Sequence, residues 1–202
     1  MGVMCSWVAV QGGVKAEILE ALKLAETGEE VIPGEGASIF CCCEFPGDWL
    51  VIFSDDFDWA AERAEDLSEF GLAVGVQCED KAEMTSAIWA VRERVQIWRV
   101  FHDNKGSIFR LDVTGDPPAE LAEIRDRLVR EQEEEGGEAA GVDLVWDIPL
   151  ELSKAVCGFR IYEGDDVFIE LQPPDRPRPV TMAPRDDRPR PPGFWARLFG
   201  RR

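Results

Sequence analysis

Three residue clusters are of types that do chemistry, and spacing decides what each is fit for. Cys41, Cys42 and Cys43 stand in a row. A structural zinc site wants four ligands, usually as C-x₂₋₄-C pairs, and no such pair exists outside this run. Neighbouring strand residues point to opposite faces, so only Cys41 and Cys43 share a side. The run therefore reads as small apolar side chains packed in a strand. His102 is the only histidine, so any Cys-His or Ser-His nucleophilic pair must use it. It ends an apolar run beside Asp103 and a polar turn, where an imidazole needs no catalytic role. Asp55, Asp56 and Asp58, with Asp165 and Asp166 elsewhere, suit a hard cation by type. Their spacing lacks the sixth-position Gly and twelfth-position Glu of an EF-hand loop, and helix capping accounts for the first cluster. Neither G-x-G-x-x-G nor G-x-x-x-x-G-K-[ST] occurs. No catalytic residue, metal or cofactor is expected, and an enzyme is the less favoured reading.

Aromatic residues and charge carry the remaining signal. Seven tryptophans are many for 202 residues. Trp7, Trp89 and Trp98 lie in strand patterns and Trp59 on a helical face, which assigns them to the core. Trp49 follows a hairpin turn and Trp146 precedes a helix start, so these two are expected as exposed anchors for a partner. The net charge of −18 is unevenly spread. Residues 172–202 hold eight Arg, no Lys and three Asp, a formal +5, which leaves −23 on residues 1–171. An acidic body of this kind repels nucleic acid and favours basic partners. The chain ends PPGFWARLFGRR. On a helical wheel Phe194, Trp195, Leu198 and Phe199 fall within an arc of about 140°, with Arg197 outside it. A segment of this length folds only on contact.

Elements that position these residues follow from periodicity. Met4–Val10 reads as a strand, and Val14, Ile18, Leu19 and Leu22 recur at helical spacing. ETGEEVIPGEG reads as a loop. Ser38–Cys43 and Trp49–Phe53 form a hairpin across Phe45-Pro46-Gly47-Asp48. Ser54 is expected to cap a helix that buries Trp59, Ala60, Ala64 and Leu67, and Leu72–Cys78 is a strand. This order is β-α-β-β-α-β, a ferredoxin-like half. Thr85–Val91, Val95–His102 and Ser107–Val113 extend it as a three-stranded meander turning at Asp103-Asn104-Lys105-Gly106. Asp116 and Pro117 announce a helix with Leu121, Ile124 and Leu128 as its stripe. Asp147-Ile148-Pro149 starts another that Gly158 ends. Val167–Leu171 is expected as an edge strand. The fold class is thus α+β with a mainly antiparallel sheet.

Three parts result: an acidic globular domain over 1–171, a Pro/Arg-rich linker over 172–193, and a basic amphipathic tail over 194–202. Eight of the thirteen prolines lie in 172–202, and an extended linker reaches about 65 Å at ~3.1 Å per residue. No stretch approaches the ~20 apolar residues that span a bilayer. The N-terminus lacks the basic and small-residue marks of a signal peptide, so the thiols are expected reduced in the cytoplasm. Gly2, Cys5 and Ser6 fit the myristoylation pattern M-G-x-x-x-[ST], which bears only on a eukaryotic host.

IWRVFHD (97–103), VTGDPPAEL (113–121) and DIPLELSKAVCGFR (147–160) resemble stretches of a group of small uncharacterised bacterial cytoplasmic proteins. In that group a W-R-V-x-H-D strand end is followed by G-D-P-P and then D-[IV]-P-x-E-L…G-F-R. The likeness covers about residues 1–160 and implies a bacterial, cytoplasmic protein without implying an activity.

The expected function is that of a non-enzymatic interaction protein, of immunity or anti-toxin type, whose acidic body engages a basic or groove-bearing protein through electrostatic complementarity. The first alternative is a peripheral protein brought to a membrane surface or assembly by Phe194–Phe199. Membrane contact through so small an apolar area is weak. The second is an enzyme using His102 or a carboxylate cluster.

Overall fold

The computed structural model describes residues 3–35, 39–80, 84–164 and 166–174. Among these, nine strands form one antiparallel sheet: β1 (Met4–Gln11), β2 (Ala25–Val31), β3 (Phe40–Phe45), β4 (Trp49–Ser54), β5 (Leu72–Glu79), β6 (Thr85–Arg92), β7 (Val95–Asp103), β8 (Leu111–Gly115) and β9 (Phe168–Gln172). Their spatial order is β2-β9-β3-β4-β1-β5-β6-β7-β8. Four helices complete the α+β fold: α1 (Lys15–Leu22), α2 (Trp59–Leu67), α3 (Glu120–Glu134) and α4 (Ile148–Cys157).

Helices cover both faces of the sheet, which explains the near-continuous apolar runs of the central strands. On one face α1 and α2 set Ile18, Leu19, Trp59, Ala60, Ala64 and Leu67 against Val8, Val10, Ile52 and Ala73. On the other, α3 and α4 set Leu121, Leu128, Ile148, Leu150 and Leu152 against Trp7, Ala9, Val51, Phe53 and Val76. A strand buried on both sides needs apolar residues at odd and even positions alike, as WVAV and LVIF supply. Gly75 of β5 faces Trp89 of β6 across the ladder, and a Cβ there would lie 2.4 Å from the indole ring. The glycine makes room for the tryptophan.

Several expectations need correction. ETGEEVIPGEG is not a loop throughout, because β2 (Ala25–Val31) takes its first six residues. This strand is nearly all exposed, so burial leaves no alternation to read; pairing with β9 makes it a strand, and a register shift at Glu26/Glu30 brackets Gly28 at φ 81°. β9 consequently lies inside the sheet, and β2 is the edge. β8 begins at Leu111, not Ser107, since Ser107 turns to accept the Phe109 N–H. Ser54 belongs to β4 and accepts the Asp56 N–H, so it caps no helix. The cap of α2 comes from β1: Ser6 Oγ accepts the Ala60 N–H at 3.1 Å and donates to the Asp56 carbonyl at 2.6 Å. Asp116 likewise caps nothing, and α3 starts four residues later.

The β6–β7 turn carries two non-glycine residues at positive φ, Glu93 (49°) and Arg94 (64°). Such backbone costs energy that the surroundings must offset. Here Ser68 Oγ accepts the Arg94 N–H, while the guanidinium binds Glu65, Asp66 and Glu69 at the end of α2.

Candidate functional site

His102 is fully buried and both ring nitrogens are committed. Nδ1 lies 2.8 Å from the Arg110 carbonyl and Nε2 3.0 Å from Asp143 Oδ2. A carbonyl only accepts, so Nδ1 is the donor to Arg110, and Nε2 meets the carboxylate. Asp143 Oδ1 also accepts the Trp146 N–H. The imidazole is a strut joining β7 to the start of α4, with no open position for a substrate.

The cysteine run divides across the sheet: Cys41 belongs to the α3/α4 core and Cys42 to the α1/α2 core, while Cys43 is half-buried. Burial raises the Cys41 thiol well above its usual range and pushes Cys42 up to about 12. Cys5 and Cys78 face each other on β1 and β5 with sulfurs 3.5 Å apart. That contact, and then burial, raises Cys5 steeply. Thiols held protonated are poor nucleophiles and poor metal ligands. Among the described residues no cluster of His, Cys, Asp and Glu is placed to hold a metal ion. Asp55 is half-buried; Asp56 accepts the Asp58 N–H in the turn before α2.

Of the two expected tryptophan anchors, Trp49 is not exposed: it is buried at 6% in the wall of a small cleft of about 250 Å³. Following a hairpin turn does not expose it, because β4 is buried along its whole length. Trp146 is half-buried, and its indole N–H donates to the carbonyls of Glu79 and Thr85. Phe194, Trp195, Arg197, Leu198 and Phe199 lie outside the described residues, as does Asp165.

The structure brings together a site that pattern reading missed. A cleft of about 630 Å³ opens where β2 and β9 meet the loop after α4. Its floor is aromatic. Phe159 and Phe168 pack with ring centroids 5.0 Å apart, backed by Phe45, and by Trp7 at 5.2 Å from Phe159. Its rim exposes Ile32 (60%), Tyr162 (67%) and Val167 (52%). Exposed apolar residues gathered at one concavity make this cleft the candidate site. Glu30, Glu35, Glu163 and Asp166 line the same cleft, and among the described residues no Lys or Arg does. The Lys154 ammonium, at 2.8 Å, holds Glu163 below the usual carboxylate range. Glu30, Glu35 and Asp166 make no ion pair among the described residues.

Arg160 fixes the loop that carries this rim. Its guanidinium binds Asp147 at 2.7 Å and Glu151 at 2.6 Å, both on the first turn of α4 or just before it. Asp147, Glu151 and Arg160 are the charged residues of DIPLEL…GFR, so that stretch closes on itself as an ion-pair clamp. IWRVFHD likewise supplies the His102 strut. These stretches hold the fold in place, and the second also supplies Phe159 to the floor of the cleft.

A second groove of about 640 Å³ runs between α1 and α2, lined by Leu22, Leu24, Phe40 and Trp59, with Lys23, Arg63, Asp66 and Glu69 in balance. It is apolar without a charge preference. Among the described residues no helix is long and apolar enough to cross a membrane. Comparison with protein-family models, with curated proteins and with solved structures gives no match.

Proposed function

We propose that this chain is a non-enzymatic interaction protein, of immunity or anti-toxin type, acting in the bacterial cytoplasm. Its cleft between β2, β9 and the loop after α4 receives a basic segment of a protein partner that also offers an apolar side chain. The observation that carries this reading is the joint placement of four carboxylates and three exposed apolar side chains around an aromatic floor, with no cation in the lining among the described residues. Carboxylates at the rim steer a basic partner, and the desolvated floor supplies the anchor pocket. The buried His102 and the protonated thiols favour binding over catalysis.

A finer reading of the fold goes with it. Strands β3, β4, β1 and β5 with α1 and α2 form a ferredoxin-like half, extended on one side by β6, β7 and β8 as a meander. β2 and β9 are the addition on the other side, and they build the cleft.

The test is capture of binding proteins from a bacterial lysate by the full chain and by two charge variants. One variant carries Glu30→Gln, Glu35→Gln, Glu163→Gln and Asp166→Asn. The other removes the same number of charges from the α1/α2 face, at Glu17, Glu20, Asp58 and Glu62. The reading expects a basic protein retained by the wild type and by the second variant, and lost by the first and in high salt. Retention by the cleft variant, or loss by both variants alike, overturns it.

A further inference from the structure

We infer that the cleft has an occupant in the same chain: residues 194–202, the basic aromatic end, dock there and compete with the partner. This rests on the proposed partner-binding role of the cleft and adds its regulation.

Three observations support it. Charge is the first. FWARLFGRR brings Arg197, Arg201 and Arg202, and the cleft offers Glu30, Glu35 and Asp166, without ion pairs among the described residues, with Glu163 shared with Lys154. The α1/α2 groove, with two cations and two anions, makes no such distinction. Chemistry is the second: Phe194, Trp195 and Phe199 match a floor made of Phe159 and Phe168 and a rim of Ile32, Tyr162 and Val167. Reach is the third. β9 enters the sheet at Phe168, on the cleft wall, and leaves it at Gln172, so the following chain starts one short strand away. The residues from Pro173 to Gly193 extend to about 65 Å, several times the return distance of a five-residue strand. Tethering over such a length gives a local concentration in the millimolar range, so a contact too weak to form between molecules is populated within one.

The experiment compares backbone amide spectra of the isolated full chain with those of a full-length variant carrying Phe194→Ser, Trp195→Ser, Leu198→Ser and Phe199→Ser. The expected result is amide shift differences concentrated at Ile32, Glu35, Tyr162, Glu163 and Val167, unchanged on dilution and abolished by the cleft charge variant. A fluorescently labelled peptide of residues 193–202 should bind the serine variant several-fold more tightly than the wild type, because the native end no longer competes. Identical cleft amides in the two proteins overturn the inference. So do shifts centred on the α1/α2 groove, and shifts that disappear on dilution, which assign the contact to a second copy. Flotation of the wild type, but not the serine variant, with phosphatidylserine vesicles alongside unchanged cleft amides assigns the segment to a membrane and also overturns it. No partner is present in these measurements, so failure here leaves the capture result standing, and failed capture leaves the amide shifts standing.

Discussion

His102→Ala tests whether the only histidine is a strut or a working group. The substitution removes an imidazole with no exposed surface that bridges the Arg110 carbonyl and Asp143. Asp143 is itself only 6% exposed, and of its two oxygens only Oδ1 keeps a partner, the Trp146 N–H. Removing one partner of a buried hydrogen bond costs about 1–3 kcal/mol, because the other is left desolvated and unsatisfied. In a chain of this length each kcal/mol is worth about 2–4 °C, so the melting temperature should fall by roughly 2–12 °C. Asp143→Asn keeps the shape and should cost about 1–3 kcal/mol. The double variant should lose less than the sum of the two, since both act on one contact. Urea unfolding followed by circular dichroism measures all three. A loss under about 1 kcal/mol for His102→Ala, or strictly additive losses, refutes the strut. Intact stability with abolished partner capture would make His102 a functional group instead.

Other consequences follow from burial and close contact. Gly75→Ala forces a methyl into the Trp89 ring and should cost about 1–3 kcal/mol, as overpacked cores do; unchanged urea stability would mean that Trp89 has another place to go. In the native protein at pH 8 a thiol reagent should modify Cys43 slowly and the other five cysteines hardly at all, while all six react in denaturant; rapid labelling of Cys42 would contradict its buried, protonated state. Asp147 is raised above the ordinary carboxylate range, first by burial and then by Glu151, Glu163 and Asp143, against the pull of Arg160. Its native form thus holds a proton more tightly than its unfolded form. The stability it contributes is present at low pH and is lost as pH rises through the native pKa. Asp147→Asn should therefore gain on the wild type as pH rises from about 4 to 7; a gap that narrows instead would reverse the sign.

Most strands and helices were legible because each is long enough to show a period. Leu121, Ile124 and Leu128 mark α3, and Trp59, Ala60, Ala64 and Leu67 are the buried residues of α2. β2 was illegible for a physical reason: an exposed edge strand of Glu, Thr and Gly owes its conformation to the ladder with β9, which lies about 140 residues on. That single miss hid the cleft, whose wall β2 forms. Caps failed for a related reason, since Ser6 serves α2 from another strand where no local motif can announce it. At Cys41–Cys43 alternation alone separates the two faces. The burial of Trp49 is not legible, because its neighbours in sequence are turn residues while its neighbours in space are core. The cleft itself draws on Glu30, Ile32, Tyr162 and Asp166, residues joined by no spacing rule.

The central claim is that the rim carboxylates bind a basic partner, and the dissociation constant of the captured protein tests it most directly. An exposed ion pair is worth about 0.2–1 kcal/mol, so neutralising Glu30, Glu35, Glu163 and Asp166 together should cost about 1–4 kcal/mol. At low salt the dissociation constant should then rise by roughly fivefold to several hundredfold, while the variant on the α1/α2 face stays near wild type. Equal constants for wild type and cleft variant, or an equal loss in the variant on the opposite face, would contradict the account.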